Sequence, residues 1–181
     1  MLRQSNSYIL PLKASEAEFG KYGLYPSFVT DGEIFVGADV LAEKLSGCRT
    51  IVIDGFEGVF WDKIVERLAS ALSSRGLNVA SVNVAKALRP SSEIDMLLEP
   101  FMGAADSIFG RMTTLHLIDF FDRELLGSVR PDDDADVSII YGTGARLTGL
   151  YKRDDAALVY VDLPKNELQF RMAAGAARNL G

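Results

Sequence analysis

Thr50-Ile51-Val52-Ile53-Asp54-Gly55-Phe56-Glu57-Gly58-Val59-Phe60-Trp61-Asp62-Lys63-Ile64-Val65-Glu66-Arg67-Leu68 carries the chain's clearest structural signal. A short β-branched run ends in Asp-Gly. An amphipathic helix follows, with Phe60, Ile64, Leu68 and Leu72 at i, i+4 spacing. A strand, a glycine turn and a helix in that order predict one unit of a parallel α/β sheet. Such a turn aims the N–H groups of a helix start at a ligand, often a phosphate.

The turn lacks the side chains a phosphate loop needs. That motif reads G-x-x-x-x-G-K-[ST]. Counted from Gly55, its second glycine is Phe60, its lysine is Trp61 and its hydroxyl residue is Asp62. The ammonium that would hold phosphate is missing, and the hydroxyl that would meet magnesium is a carboxylate. Lys63 comes one residue late, about 100° round a helix.

The same strand pattern recurs downstream. Asn78 to Val84 alternates apolar and small polar residues. Val137 to Tyr141 is a third strand, followed by a small-residue turn, Gly142-Thr143-Gly144-Ala145. Ala157 to Val161 is the fourth. Between them, Pro90-Ser91-Ser92-Glu93 opens a short helix carrying Ile94, Leu97 and Leu98. A loop spans 101–111, and a helix is predicted from Leu115 to Leu126, capped by Thr113 or Thr114. Pro164 is placed to start the last helix. Upstream, Ala38 to Ser46 reads as a short helix, and Ser27 to Val36 as a hairpin about Asp31-Gly32. The expectation is an α/β domain over 48–181, an open and mostly parallel sheet with helices on both faces. A β-rich appendage with a short helix precedes it at 1–47.

Composition narrows the function classes. The 181 residues carry a net charge of −6 with pI about 4.8, and no basic stripe, so nucleic acid is not an expected partner. No apolar run reaches membrane-spanning length, and the first residues lack the apolar core of a signal peptide. The expected location is the cytoplasm. One histidine, His116, and one cysteine, Cys48, cannot build a zinc site of several such ligands. No metal site is assigned, though carboxylates alone could hold magnesium. Asp132, Asp133, Asp134 and Asp136 fall in a polar turn and read as solvated. The tail from Ala173 has no stop signal of its own, which is compatible with a longer chain.

Over residues 48–181 the chain resembles uridine-kinase-type P-loop kinases. Val161-Asp162-Leu163-Pro164, followed by Arg171 and Arg178, looks like their late strand and lid arginines. In wording it is also similar to the N-terminal region of some bacterial class I mannose-6-phosphate isomerases. Ile53-Asp54-Gly55-Phe56-Glu57-Gly58-Val59, Phe109-Gly110-Arg111, Ile118-Asp119-Phe120-Phe121-Asp122, Tyr141 to Ala145, and Leu163 to Arg171 carry that likeness. It implies an isomerase domain beyond residue 181 and a link to sugar-phosphate metabolism, with no isomerase activity in this chain.

Two functions follow. One is a kinase-like binding or accessory module that has lost phosphoryl transfer and meets a nucleotide or other phosphorylated small molecule. The other is an active phosphotransferase using ATP and magnesium. In it Asp119 takes the hydroxyl proton or holds magnesium, and Arg111, Arg171 and Arg178 clamp phosphate. A purely structural role stands beside these two. Ligand-binding candidates are Asp54, Gly55, Gly58, Asp62, Gly142, Thr143 and Arg178. If any ligand-binding reading holds, residues 54–62, 109–111, 119–122 and 142–146 should meet at the carboxyl ends of the strands.

Overall fold

The computed structural model describes residue 32 and residues 34–103, 109–177 and 180. The chain divides at Ile34/Phe35, and nearly all described residues fall in the second unit, Phe35–Gly181. Most of the N-terminal appendage predicted from sequence lies outside the described residues. Of its hairpin, residue 32 and residues 34–36 are described, and none lies in a strand.

In chain order the regular elements are α1 (Ala38–Leu45), β1 (Thr50–Gly55), α2 (Trp61–Ser73), β2 (Val79–Asn83), α3 (Ser91–Leu98), α4 (Arg123–Ser128), β3 (Val137–Tyr141), β4 (Ala156–Val161) and α5 (Lys165–Ala173). The four strands form one sheet in the order β2-β3-β1-β4, and every pairing is parallel. Thr50 lies opposite Ser138 and Ala156, so β1 is an interior strand with partners on both sides. Its β-branched run is buried on both faces, as a parallel interior strand requires.

Alternation along β1 sends neighbouring side chains to opposite faces. Ile51 and Ile53, with Val137 and Ile139 of β3, pack under α1 and α2 through Ala42, Leu45, Val65, Leu68, Ala71 and Leu72. Val52 and Ile140 point the other way. They pack with Val84 and Ala87, Phe121, Leu126 of α4 and Ala145. The sheet is therefore covered on both faces. α1, grouped by sequence with the appendage, packs on the sheet through Ala42 and Leu45. α2 closes as a Schellman turn: Leu77 N–H donates to Leu72 O and Gly76 N–H to Ser73 O.

The helix expected over 115–126 is corrected. Residues 113–116 are irregular, a 3₁₀ turn runs Leu117–Phe120, and α4 begins only at Arg123. Phe121 interrupts the helix. Its backbone is extended and bridges Leu88, and its ring is fully buried beneath the sheet. Asp122 then restarts the helix by accepting the N–H groups of Glu124 and Leu125.

No helix among the described residues is long and apolar enough to cross a membrane.

Candidate functional site

β1 and β3 are adjacent, yet the segments that follow them leave on opposite faces. α2 covers the Ile51/Ile53 face, and the turn from Ala145 covers the Val52/Ile140 face. That divergence leaves a crevice at the two carboxyl ends, where open α/β sheets bind ligands.

Asp54 fills it. One carboxylate oxygen, Oδ1, accepts the N–H of Gly55 at 2.7 Å and of Gly144 at 2.9 Å, and Oδ2 accepts the N–H of Arg146 at 3.1 Å. Three backbone donors converge on one anion, the arrangement that would greet a phosphate oxygen. Here the anion belongs to the chain. Gly142 and Thr143 lie in the same turn. Gly142 N–H donates to Ile53 O, and the Thr143 hydroxyl is buried with no hydrogen-bond partner among the described residues. Gly144 leaves room for the Phe121 ring, which an added Cβ would strike at 2.8 Å.

The 55–60 turn is packed shut. At Gly55, β1 runs so close to β4 that a Cβ would overlap the carbonyl oxygen of Val161 and come within 3.1 Å of the Trp61 ring. Gly58 has φ +86°, a conformation glycine adopts without strain, and a Cβ there would meet Leu168 of α5 at 2.5 Å. Arg171 bolts the turn down. Its Nη1 donates to Gly58 O at 2.8 Å, its Nε to Glu167 Oε1 at 3.0 Å, and its guanidinium lies 4.0 Å from the centroid of the Phe60 ring. Arg171 is therefore engaged by the chain itself, where the kinase reading required a clamp open to phosphate.

Asp62 opens α2, where a carboxylate complements the helix dipole. The Tyr141 hydroxyl donates to its Oδ1 at 3.5 Å, a long contact. Burial, followed by the nearby Asp62 charge, raises the Tyr141 phenol above its ordinary 10.0, while a bond from the Asn83 side chain opposes the shift. A phenol whose folded value lies above its unfolded one contributes stability in full below the unfolded value. That contribution is lost as pH climbs through the folded value. Unfolding free energy should therefore decline from about pH 10 upward, and Tyr141→Phe should flatten that decline. Urea midpoints at stepped alkaline pH check it; parallel curves for the two proteins would contradict it.

The remaining candidates do not all join this crevice. Asp119 accepts the backbone N–H of His116 at 2.8 Å and sits 3.6 Å from Arg123, so its carboxylate caps its own 3₁₀ turn. The 119–122 stretch meets the 142–146 turn through Phe121, whose ring lies against Gly144. Arg111 is exposed. Its backbone N–H donates to Phe101 O, which ties 109–111 to the end of α3. Arg178 lies outside the described residues. Of the four stretches expected to meet, 54–62 and 142–146 are joined by direct bonds and 119–122 by the Phe121 ring. The backbone bond from Arg111 leads instead to Phe101. Asn83 was missed from sequence; it faces Tyr141 and also accepts Ala85 N–H at 2.9 Å. Its signal was its place next to the carboxyl end of a predicted strand. Among the described residues no group of three His, Cys, Asp or Glu is placed to hold a metal ion.

Fold and crevice together define an open, all-parallel α/β domain whose switch-point anion site holds an aspartate. The family profile of a domain of unknown function (DUF8485) matches residues 37–181, and the chain belongs to that family. No curated protein and no solved structure matches it.

Proposed function

We propose that this chain is a kinase-like domain with a degenerate phosphate loop that has lost phosphoryl transfer and serves as a binding or accessory module. The observation that carries the reading is Asp54: its carboxylate accepts the N–H groups of Gly55, at the start of the degenerate loop, and of Gly144 and Arg146 in the turn beside it, so these donors are already engaged by the chain. A nucleotide phosphate would have to displace a covalently tethered anion and then sit beside Asp62. The side chains that would attract it are absent, since Trp61 and Asp62 stand in the lysine and hydroxyl positions. The packing of Gly58 and Arg171 against α5 supports the same reading. A cytoplasmic location and a place in sugar-phosphate metabolism, beside a mannose-6-phosphate isomerase domain, complete the proposal. The isomerase link rests on the sequence resemblance alone.

Turnover tests it. The purified chain, given ATP and magnesium with a panel of hexoses, hexose phosphates and nucleosides, should release no ADP above the rate without acceptor. Acceptor-dependent ADP release that disappears in Asp119→Ala would overturn the proposal in favour of an active phosphotransferase.

A further inference from the structure

The two edges of the sheet are built differently. At the β2 edge, Val82 and Asn83 share a cavity wall with Lys86 and Arg130, so charge stands beside the open strand. β4, the other edge, is Ala156-Ala157-Leu158-Val159-Tyr160-Val161, with no charge, no proline and an unbroken register on β1. The edge strand of a lone domain ordinarily carries such guards, because its free main-chain groups otherwise recruit another strand. On one face of β4, Ala157, Val159 and Val161 pack toward α2. On the other, Leu158 and Tyr160 lie in register with Val52 and Asp54. They are 42% and 64% exposed, and neither joins the core around Val52.

The ladder shows which main-chain groups are open. Asp155 O accepts Arg49 N–H and Val161 O accepts Phe56 N–H, so the odd-numbered residues of this segment turn toward β1. Main-chain groups of successive residues point to opposite sides of a strand, so Ala156, Leu158 and Tyr160 turn outward. Ala156 N–H is already spent on Arg153 O at 3.1 Å. That leaves the N–H and C=O of Leu158 and Tyr160 and the C=O of Ala156. Among the described residues no strand pairs with them.

We propose that β4 is a homodimer interface, pairing antiparallel with β4 of a second copy across a two-fold axis to make one continuous sheet. A two-fold contact needs a surface that complements itself, and the open groups select how. With Val159 opposite Val159, Leu158 exchanges both main-chain bonds with Tyr160 of the second copy, and Ala156 O faces its Asp162 N–H. Each Leu158 side chain then lies beside a Tyr160 ring, a favourable aliphatic–aromatic pair, and both leave water. Sliding the strands so that Leu158 meets Leu158 would set Tyr160 O against the spent Ala156 N–H. It would also place Asp154 opposite Asp162, a like-charge pair. Charge favours this edge as the meeting place: each copy carries −6, and β4 brings none of it to the contact. The pairing does not depend on the function proposed for Asp54.

Sedimentation velocity of the full chain tests this. A reversible dimer is expected at micromolar concentration. Leu158→Lys should leave only monomer, with circular dichroism unchanged, because Leu158 is exposed. Leu158→Pro removes an N–H that β1 does not use and should also leave only monomer. Leu125→Lys, at an exposed leucine of α4, should keep the dimer. In a Cys48→Ser background, Val159→Cys lies on the axis and should give a disulfide-linked dimer on air oxidation. Tyr160→Cys, opposite Leu158 of the second copy, should stay unlinked. A chain that remains monomeric up to millimolar concentration would overturn the proposal. So would a dimer that survives both Leu158 changes, or equal linkage through the two cysteines.

Discussion

Gly55→Ala should lower the thermal midpoint more than any other single-methyl addition in the sheet. The added Cβ overlaps the backbone carbonyl of Val161, and backbone cannot swing aside as a flexible side chain can. That carbonyl is also the acceptor for Phe56 N–H at 3.1 Å, so relief requires prising β1 from β4 at the mouth of the crevice. Overpacking of a core typically costs about 1–3 kcal/mol, and with a backbone collision the upper end or beyond is expected. At roughly 2–4 °C per kcal/mol for a chain of this size, the midpoint should fall by about 6–12 °C. Gly127→Ala is the control. Gly127 sits in α4 with open space where a Cβ would go, so alanine there should be neutral or stabilising by up to about 1 kcal/mol. Differential scanning calorimetry of the two variants separates collision from generic helix or strand preference. A Gly55→Ala midpoint equal to wild type would mean that β1 and β4 are not packed as described.

Asp54→Ala should be the most damaging polar substitution. It strips the acceptor from Gly55, Gly144 and Arg146 at once. Bonds to a charged acceptor contribute about 1.5–3 kcal/mol each where water cannot substitute. Asp54 is half-buried, and water can replace part of the set, so the expected total is about 2–4 kcal/mol. Asp54→Asn should fall between. Its carbonyl oxygen can still accept from Gly55 and Gly144, but its amide would turn a donor toward the Arg146 N–H. Chemical denaturation with an unchanged m-value checks the ranking Ala below Asn below Asp. If Asn were as damaging as Ala, the geometry around Oδ1 would be wrong; if both were silent, Asp54 would not be holding the 142–146 turn.

The sequence carried the frame well because its signals there are local. The β-branched run of β1, the 3.6-residue spacing in α2 and the Gly-rich turn after β3 each state their structure within a few residues. The broken helix before β3 was illegible for the opposite reason. Ile118, Phe121 and Leu125 have helical spacing, yet Phe121 is held extended by Leu88 and buried against Gly144, both distant in sequence. Asp122 was an available cap signal, outweighed by the continuous apolar pattern.

The candidate site divided along the same line. Asp54 was legible as a turn residue, since its bond to Gly55 is local. Its bonds to Gly144 and Arg146 span 90 and 92 residues. Those long bonds make Asp54 the acceptor that ties the 142–146 turn to β1. Arg171 was legible as a helical cation, but its partner, the Gly58 carbonyl, lies 113 residues away. Spacing could flag both residues. It could not say whether each would face a ligand or the chain itself.

In the function proposed above, Asp54 occupies the place of a ligand phosphate. Calorimetric titration of ATP into the purified chain, with and without magnesium, should then give no heat beyond dilution at millimolar ATP in either condition. Saturable binding in the micromolar range that requires magnesium would contradict it.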